Sequence, residues 1–506
     1  MIVSGDQLKG ELQRDVDVVV IGSGCGGATL AAELAASGHS VLIVEQGSHH
    51  ASSTYTQREV DMYAKLYAEG GATGPKDLSS SILYGQTVGG SSVHYMANSF
   101  RVTPRRLAEW TRDHGLVGFT PEALAPFYAE VERAHHVHAA TDNETNVNNR
   151  IFRRGVEALG WKGEPAPNAR KDCANAGFCL LGCPFDRKQS QLLTGIPRAM
   201  ERGADLYADT RVTRIDVTGG QARGIEAEVR HPRTGELTAR LTVRARAVVL
   251  AAGGVGSPAL LLRTGLANSS GQVGRNFVVT PHFFTMGVMK ERVDGWTGLP
   301  CSYVCRQFEE RKGDEGGYMI QGIFAQPGMI ATVTPGFGRA HRALMERVPH
   351  FAALLSLIDD EEPGTVTVDA RGKPVIDYHL RGRDVPKARD FFRKSARILL
   401  AAGAESVMIP AATPLTIKNE ADLALIETLS LEPHAVPFFG TTNTGACRMG
   451  ADPRRSVVDP YGEAHDVKNL WLSDGSVLPG SPGVDPSLTI MANSLRIAQH
   501  IQERWK

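Results

Sequence analysis

Val16-Asp-Val-Val-Val-Ile-Gly22-Ser-Gly24-Cys-Gly-Gly27-Ala-Thr-Leu opens, and Val41-Leu-Ile-Val-Glu45-Gln-Gly47 closes, the stretch that decides the fold. The apolar run Val18–Ile21 reads as a buried parallel strand. Gly22, Gly24 and Gly27 form a G-x-G-x-x-G turn, where missing side chains let backbone N–H groups approach a pyrophosphate at the positive end of the following helix. That helix continues through Thr29–Ala36, and Gly38 ends it. Strand Val41–Val44 then delivers Glu45 about 20 residues beyond the turn, where an acid accepts hydrogen bonds from a ribose hydroxyl and disfavours a 2′-phosphate. Close packing of a helix on a strand explains Gly27 alone. Strand, glycines, helix, strand and acid in register imply a nucleotide cofactor.

The rest of the composition frames this as an enzyme. At 506 residues the chain is long enough for two or more domains with sizeable cores. Lys plus Arg balance Asp plus Glu at 55 each, so net charge points to neither nucleic acid nor an anionic membrane. The N-terminal residues lack the apolar core of a signal peptide and no run of 18 apolar residues occurs, so the expectation is a cytoplasmic protein with no membrane span. Seven cysteines without a secretion signal do not make a disulfide framework.

Outward from the opening unit, a helix is expected near Arg58–Ala68, then the compact element Tyr84-Gly-Gln-Thr-Val-Gly89-Gly90-Ser-Ser-Val-His94-Tyr-Met96-Ala97-Asn98, where small residues let backbone pass close to a flat ligand. Segments near Asp205–Tyr207, Val212–Val217 and Ala222–Val229 alternate like a small antiparallel sheet. Ala245–Ala251 is an apolar strand. Thr365–Asp369 and Pro374–Leu380 suggest a hairpin, and Asp384 with Pro386 reads as the cap and first turn of a helix to about Ala402. Leu470–Leu472 returns to strand character. Asp485-Pro486 is placed to open a final helix, with Asp485 as cap and Pro486 as the first helical residue.

Four blocks carry a family resemblance. These are Gly22–Glu45, Gly85–Asn98, Ala252-Gly-Gly-Val-Gly-Ser-Pro-Ala-Leu-Leu-Leu-Arg-Thr-Gly265 and Asp474-Gly475-Ser-Val-Leu-Pro-Gly to Thr489. In their order the chain resembles the glucose–methanol–choline family of flavin oxidoreductases over nearly its whole length, with the tail most like the cholesterol-oxidase-like and long-chain-alcohol-oxidase branch. The resemblance implies FAD and an α/β fold, with a Rossmann-like FAD-binding domain of discontinuous segments and a mixed-sheet substrate domain. The expected division is 13–284, interrupted, with 436–506 for FAD, and 285–435 with the 140–200 region for substrate. It further implies that Gly89, Gly90 and the backbone of Met96, Ala97 and Asn98 lie against the flavin. Asp474 and Gly475 would adjoin the ribityl chain, and Pro486 and Ser487 would present a helix N-terminus to the flavin's negative edge. Val212 resembles the position whose backbone holds adenine, though an ordinary strand residue reads equally well.

The chemistry departs from the family pattern. Alcohol-oxidising members place a His before the C-terminal Arg-Met-Gly, but here the block is Thr442-Asn-Thr-Gly-Ala-Cys-Arg-Met-Gly450 and Thr442 stands in its place. The second catalytic position is Asp485. A carboxylate beside a flavin and under apolar cover gains proton affinity and becomes a usable base, whereas capping the final helix is its structural alternative. His434 and His282 are the other candidates, each with a structural reading. His94 is similar to the covalently joined His in the Gly-Gly-x-x-Thr-His-Trp of pyranose oxidases, but Val93 and Tyr95 differ from that pattern, so non-covalent FAD is expected. Cys173, Cys179 and Cys183 resemble a family loop more than a zinc or iron–sulfur site, and no metal is expected. The resulting expectation is oxidation of a CH–OH group in a bulky alcohol or sugar by hydride transfer to flavin N5, with the electron acceptor left open. Alternatives are an amino-sugar or pyranose dehydrogenase or oxidase, or a flavin protein without alcohol chemistry, either a redox-silent binder or a lyase.

Overall fold

In the computed structural model, which describes residues 1–506, the opening stretch folds as its pattern dictates. Strand Gly10–Ile21 ends in the fully buried run Val18–Ile21 and pairs in parallel with Val41–Val44 across the helix Cys25–Ala36. On its other side it pairs in parallel with Leu237–Leu250, whose last residues also pair with Leu470–Leu472. Strands from both ends of the chain therefore meet in one eight-stranded sheet.

One expectation about this region changes. Thr210–Thr218 and Gln221–Arg230 do pair antiparallel, but they extend the first sheet instead of forming a separate one, and Asp205–Tyr207 enters the same sheet beside Val41–Val44. The reason is the length of Leu237–Leu250: 14 residues span about 46 Å. That is enough to pair with Gln221–Arg230 through its first half and with Leu470–Leu472 at its end.

A second sheet holds seven strands in the order Leu415–Ile417, Ser406–Ile409, Phe284–Val288, Phe351–Ile358, Tyr318–Gly322, Tyr303–Cys305 and Gly163–Pro165. Pairing within it is antiparallel throughout. The helices Asp384–Ala401 and Val147–Ala158 pack against it. Phe351–Ile358 and Tyr318–Gly322 are buried at every position, as strands covered on both faces must be. The hairpin forms from Thr365–Val368 and Pro374–Asp377.

Both expected caps are corrected. Arg383, not Asp384, holds the cap position of Asp384–Ala401, and Asp384 accepts hydrogen bonds from the N–H groups of Glu361 and Glu362 and from Lys387 Nζ. The carboxylate thus fastens the preceding loop. The final helix runs Ser487–Trp505 with Pro486 at its cap position and no side-chain cap. Asp485 lies one residue before that position, and its Oδ2 accepts instead from the side-chain amides of Asn98 and Gln321. No helix is long and apolar enough to cross a membrane.

Candidate functional site

The cofactor end is built from close backbone approaches. Gly22 has φ +104°, a left-handed value, and a Cβ there would stand 2.3 Å from the carbonyl oxygen of Ala251. Gly26 and Gly27 are equally tight against Ser473 and Gly22. Gly24 differs: nothing crowds it except Gly90 Cα at 3.8 Å, so its front is open. The helix it begins carries no side-chain cap and no acid in its first turn, which leaves the positive helix end available to an anion.

Glu45 locks this turn to the second glycine loop. Its Oε2 accepts from Ser23 N–H at 3.0 Å and from Ser23 Oγ at 2.8 Å, while Oε1 accepts from Gly47 N–H at 2.8 Å. Ser23 Oγ in turn accepts from Gly89 N–H at 2.9 Å. Burial raises the proton affinity of Glu45 against the pull of these donors. Gly89 and Gly90 both take left-handed φ, at +94° and +56°. Ser23, which joins the two loops, was not singled out in the sequence; as the first x of G-x-G-x-x-G it carries no motif signal.

The Asp474 turn is equally saturated. Asp474 Oδ2 accepts from Gly253 N–H at 2.8 Å and from Ser257 Oγ at 2.5 Å, and Oδ1 accepts from Ser476 N–H at 2.7 Å. It ties the helix Gly253–Thr264 to Gly475, which lies against the backbone of Asn443. Val212 sits in the edge strand Thr210–Thr218, where its carbonyl accepts from Arg263 at 2.9 Å.

At the other end, residues far apart in sequence converge. Ala97, a non-glycine residue at φ +69°, turns the chain so that Asn98 enters the interior. Asn98 Nδ2 donates to Asp485 Oδ2 at 3.0 Å, and Gln321 Nε2 donates to the same oxygen at 2.9 Å. Asn98 Nδ2 also reaches Gln321 Oε1 at 3.1 Å, and the Asn98 carbonyl accepts from Ser487 Oγ at 3.3 Å. Burial pushes the Asp485 carboxyl above the ordinary carboxylate range, while the two amides oppose the rise. Gln321 was missed in the sequence. Its signal was a lone amide in the apolar run Tyr-Met-Ile-Gln-Gly of Tyr318–Gly322.

The histidines separate. Burial, helped by Lys188, lowers the His94 pKa to about 3, and its ring packs against that of Tyr67, tilted by 33°, at 3.9 Å between centroids. His282 is likewise buried and lowered to about 3. Its backbone bridges to Phe439. His434 is on the surface with its side chain 61% exposed and Nε2 4.0 Å from Asp77. The structure thus does not bring His434 to Asp485. Thr442 is buried, and Met96 is half-buried. The free thiols Cys173, Cys179 and Cys183 line one small pocket with Ala97 and Lys188.

These residues fit FAD. Gly24 opens onto free space at an uncapped helix start, the approach a pyrophosphate requires. His94 Nε2, Asn98 Oδ1 and Thr442 Oγ1 are buried without a hydrogen-bond partner, and buried polar atoms of this kind are ordinarily satisfied. The polar edge of a flavin would meet that need.

Comparison with known proteins agrees with this geometry. Residues 20–74 match the NAD(P)-binding Rossmann-like domain. An uncharacterized GMC-type oxidoreductase of Mycobacterium tuberculosis is 31% identical over 486 residues, covering 95% of this chain and 75% of the relative. A long-chain-alcohol oxidase of Arabidopsis thaliana is 28% identical, covering 97% of this chain and 69% of the relative. The solved formate oxidase of Aspergillus oryzae, an FAD protein, superposes with a TM-score of 0.74 at 16% identity, over 98% of this chain and 99% of that one, a likeness of fold. Residues 63–282 and 360–494 both match the family described as GMC oxidoreductase, in the order in which the sequence blocks run; the chain belongs to that family, which indicates FAD as its cofactor.

Proposed function

We propose that this protein oxidises the CH–OH group of a bulky alcohol or sugar, with Asp485 as the base. When bound, FAD supplies the acceptor for the hydride, at N5. The chain's part is to hold the substrate carbon and to take the hydroxyl proton, and Asp485 Oδ1 is the atom that takes it. The carrying observation is the binding of Asp485: two amides hold Oδ2, none holds Oδ1, and the helix that a structural Asp would cap has no side-chain cap. Raised proton affinity brings this carboxylate nearer to working pH, which improves a general base. Neutral His94 and His282, with pKa values lowered to about 3, are weak bases by comparison.

The other site residues belong to the same reading. Gly22, Gly24, Gly27 and Glu45 serve the dinucleotide, with Val212 near adenine. Gly89, Gly90, Met96, Ala97 and Asn98 face the flavin, and Asp474, Gly475, Pro486 and Ser487 line its ribityl and C2 side. The second sheet, with Gln321, covers the substrate. The likeness to a long-chain-alcohol oxidase supports a bulky alcohol. An amino sugar is the second reading, favoured because Asp485 is held by neutral amides with no cation paired to it.

Anaerobic mixing of the yellow holoprotein with long-chain alcohols, sterols, sugars and amino sugars tests the proposal. Bleaching of the flavin by one of these classes is the expected result. A flavin that no member of the panel bleaches, and that dithionite does, would favour the redox-silent binder or lyase instead.

A further inference from the structure

Gln321 is the one polar side chain on its face of a buried strand. In Tyr318–Gly322 side chains alternate across the sheet, so Met319 and Gln321 share a face while Tyr318 and Ile320 take the other. Met319 joins the core that contains Val477, Val484 and Leu488, around the start of the final helix. Tyr318 and Ile320 join the core of Phe391 and Phe392, beneath the helix Asp384–Ala401. A leucine at 321 would satisfy packing. An amide is present instead, and both of its ends are used.

Its orientation is fixed. Gln321 Oε1 accepts from Asn98 Nδ2, so Nε2 must face Asp485 Oδ2, at 2.9 Å; the flipped amide would set two oxygens against each other. Asn98 is fixed the same way, because its Nδ2 serves two acceptors. The three side chains come from three remote segments and form a closed triangle on one carboxylate oxygen.

We propose that Gln321 is the positioning residue of Asp485: its amide clamps Oδ2 and leaves Oδ1 as the free oxygen of the carboxylate. The proposal deepens the reading of Asp485 as base and rests on it for its catalytic meaning, but the clamp is testable without any substrate.

The other ionisable groups facing this carboxylate are few. The Cys301 thiol lies close, and burial together with Asp485 keeps it protonated. Gly483 abuts Asp359, which is paired with Arg105 and Arg106. The amides are therefore the groups that oppose desolvation of Asp485. A carboxylate whose proton affinity is raised in the fold loses stability as pH rises from its unfolded value, about 4, to its folded one, and levels off above it. Removing the Gln321 donor raises the folded value further and extends that loss to higher pH.

The experiment is melting temperature against pH, from 4 to 8, for the purified holoprotein and its Gln321→Leu, Asp485→Asn and double variants. Gln321→Leu is expected to lower the melting temperature by about 1 °C or more beyond its pH 4 offset when measured at pH 7–8, and this excess should vanish in the Asp485→Asn background. An offset equal at all pH values, or one that survives Asp485→Asn, would show Gln321 to be a packing residue and overturn the clamp. Gln321→Glu provides the same test if the leucine variant does not fold: two adjacent carboxylates should steepen the loss between pH 5 and 8, and Asp485→Asn should remove the steepening. Failure of Asp485→Asn to slow flavin reduction would sink the base assignment and leave the clamp standing.

Discussion

Glu45 is buried and Asp485 half-buried, and burial raises the proton affinity of both carboxylates, yet they are held in opposite ways. Both oxygens of Glu45 are occupied, by partners no more than 22 residues away. Asp485 is bound through one oxygen only, by residues 387 and 164 positions distant. Asp474 belongs with Glu45, since both of its oxygens are also taken. A carboxylate whose acceptor sites are filled by backbone N–H groups and hydroxyls is a fastener, and protonating it breaks the structure it fastens. One with an oxygen left free has somewhere to put a proton without breaking anything.

The comparison is broken most directly at Asp485. Asp485→Asn keeps an oxygen for Asn98 and Gln321 but removes the base, so flavin reduction by an active substrate should slow by about 10²-fold or more, roughly 3 kcal/mol of barrier. The acidic limb of the rate–pH profile should disappear with it. Because the carboxylate caps no helix, melting temperature at pH 7 should hold or rise, as it does when a buried charge is neutralised. A stopped-flow rate equal to that of the parent would end the case for Asp485.

Glu45→Ala should act on the cofactor and not on the rate. It strands the Ser23 and Gly47 N–H groups and frees Ser23 from the Gly89 loop, and FAD retention should weaken by about tenfold or more, 1.4 kcal/mol being one such factor. Equilibrium dialysis measures it. A variant that holds FAD as tightly as the parent would remove the distinction drawn between the two carboxylates, since neither would then be a fastener.

How far each end was legible in the sequence follows from the same difference. The glycine turn, the strand Val41–Val44 and Glu45 form a local unit, whose residues meet whatever the rest of the chain does, so spacing alone located them. Asp485 could be located but not interpreted: an Asp before Pro at a helix start looks like a cap, and only the arrival of Asn98 and Gln321 from elsewhere shows that it is not. Gln321 was invisible because its partners are set by how the second sheet meets the first, which no local pattern encodes. The antiparallel pairing of Thr210–Thr218 with Gln221–Arg230 was legible, but that the pair extends the first sheet was not, for a similar reason, their neighbour Leu237–Leu250 being longer than its apolar end suggested.

The histidines sharpen the comparison from the other side. His94 is neutral, with its Nε2 buried and unpartnered, and it lacks the Thr and Trp neighbours of the covalent pattern. Acid precipitation should therefore release the flavin into the supernatant, and His94→Ala should leave that release unchanged. Yellow colour that stays in the parent's pellet and is lost from that of the variant would instead make His94 the point of attachment.

The smallest effect is expected at His434, which carried a catalytic reading in the sequence equal to that of His282. Its side chain is 61% exposed and its nearest charged partner is Asp77, at 4.0 Å, on a surface loop. An exposed side chain outside the buried network contributes within about 0.5 kcal/mol to stability, and a base that is not enclosed with the substrate has no purchase on its hydroxyl proton. His434→Ala should change flavin reduction by less than about twofold at every pH, and it should leave the acidic limb where the parent has it. A tenfold loss in this variant, with the limb displaced, would mean that the proton leaves through the surface loop and that the free oxygen of Asp485 is not its destination.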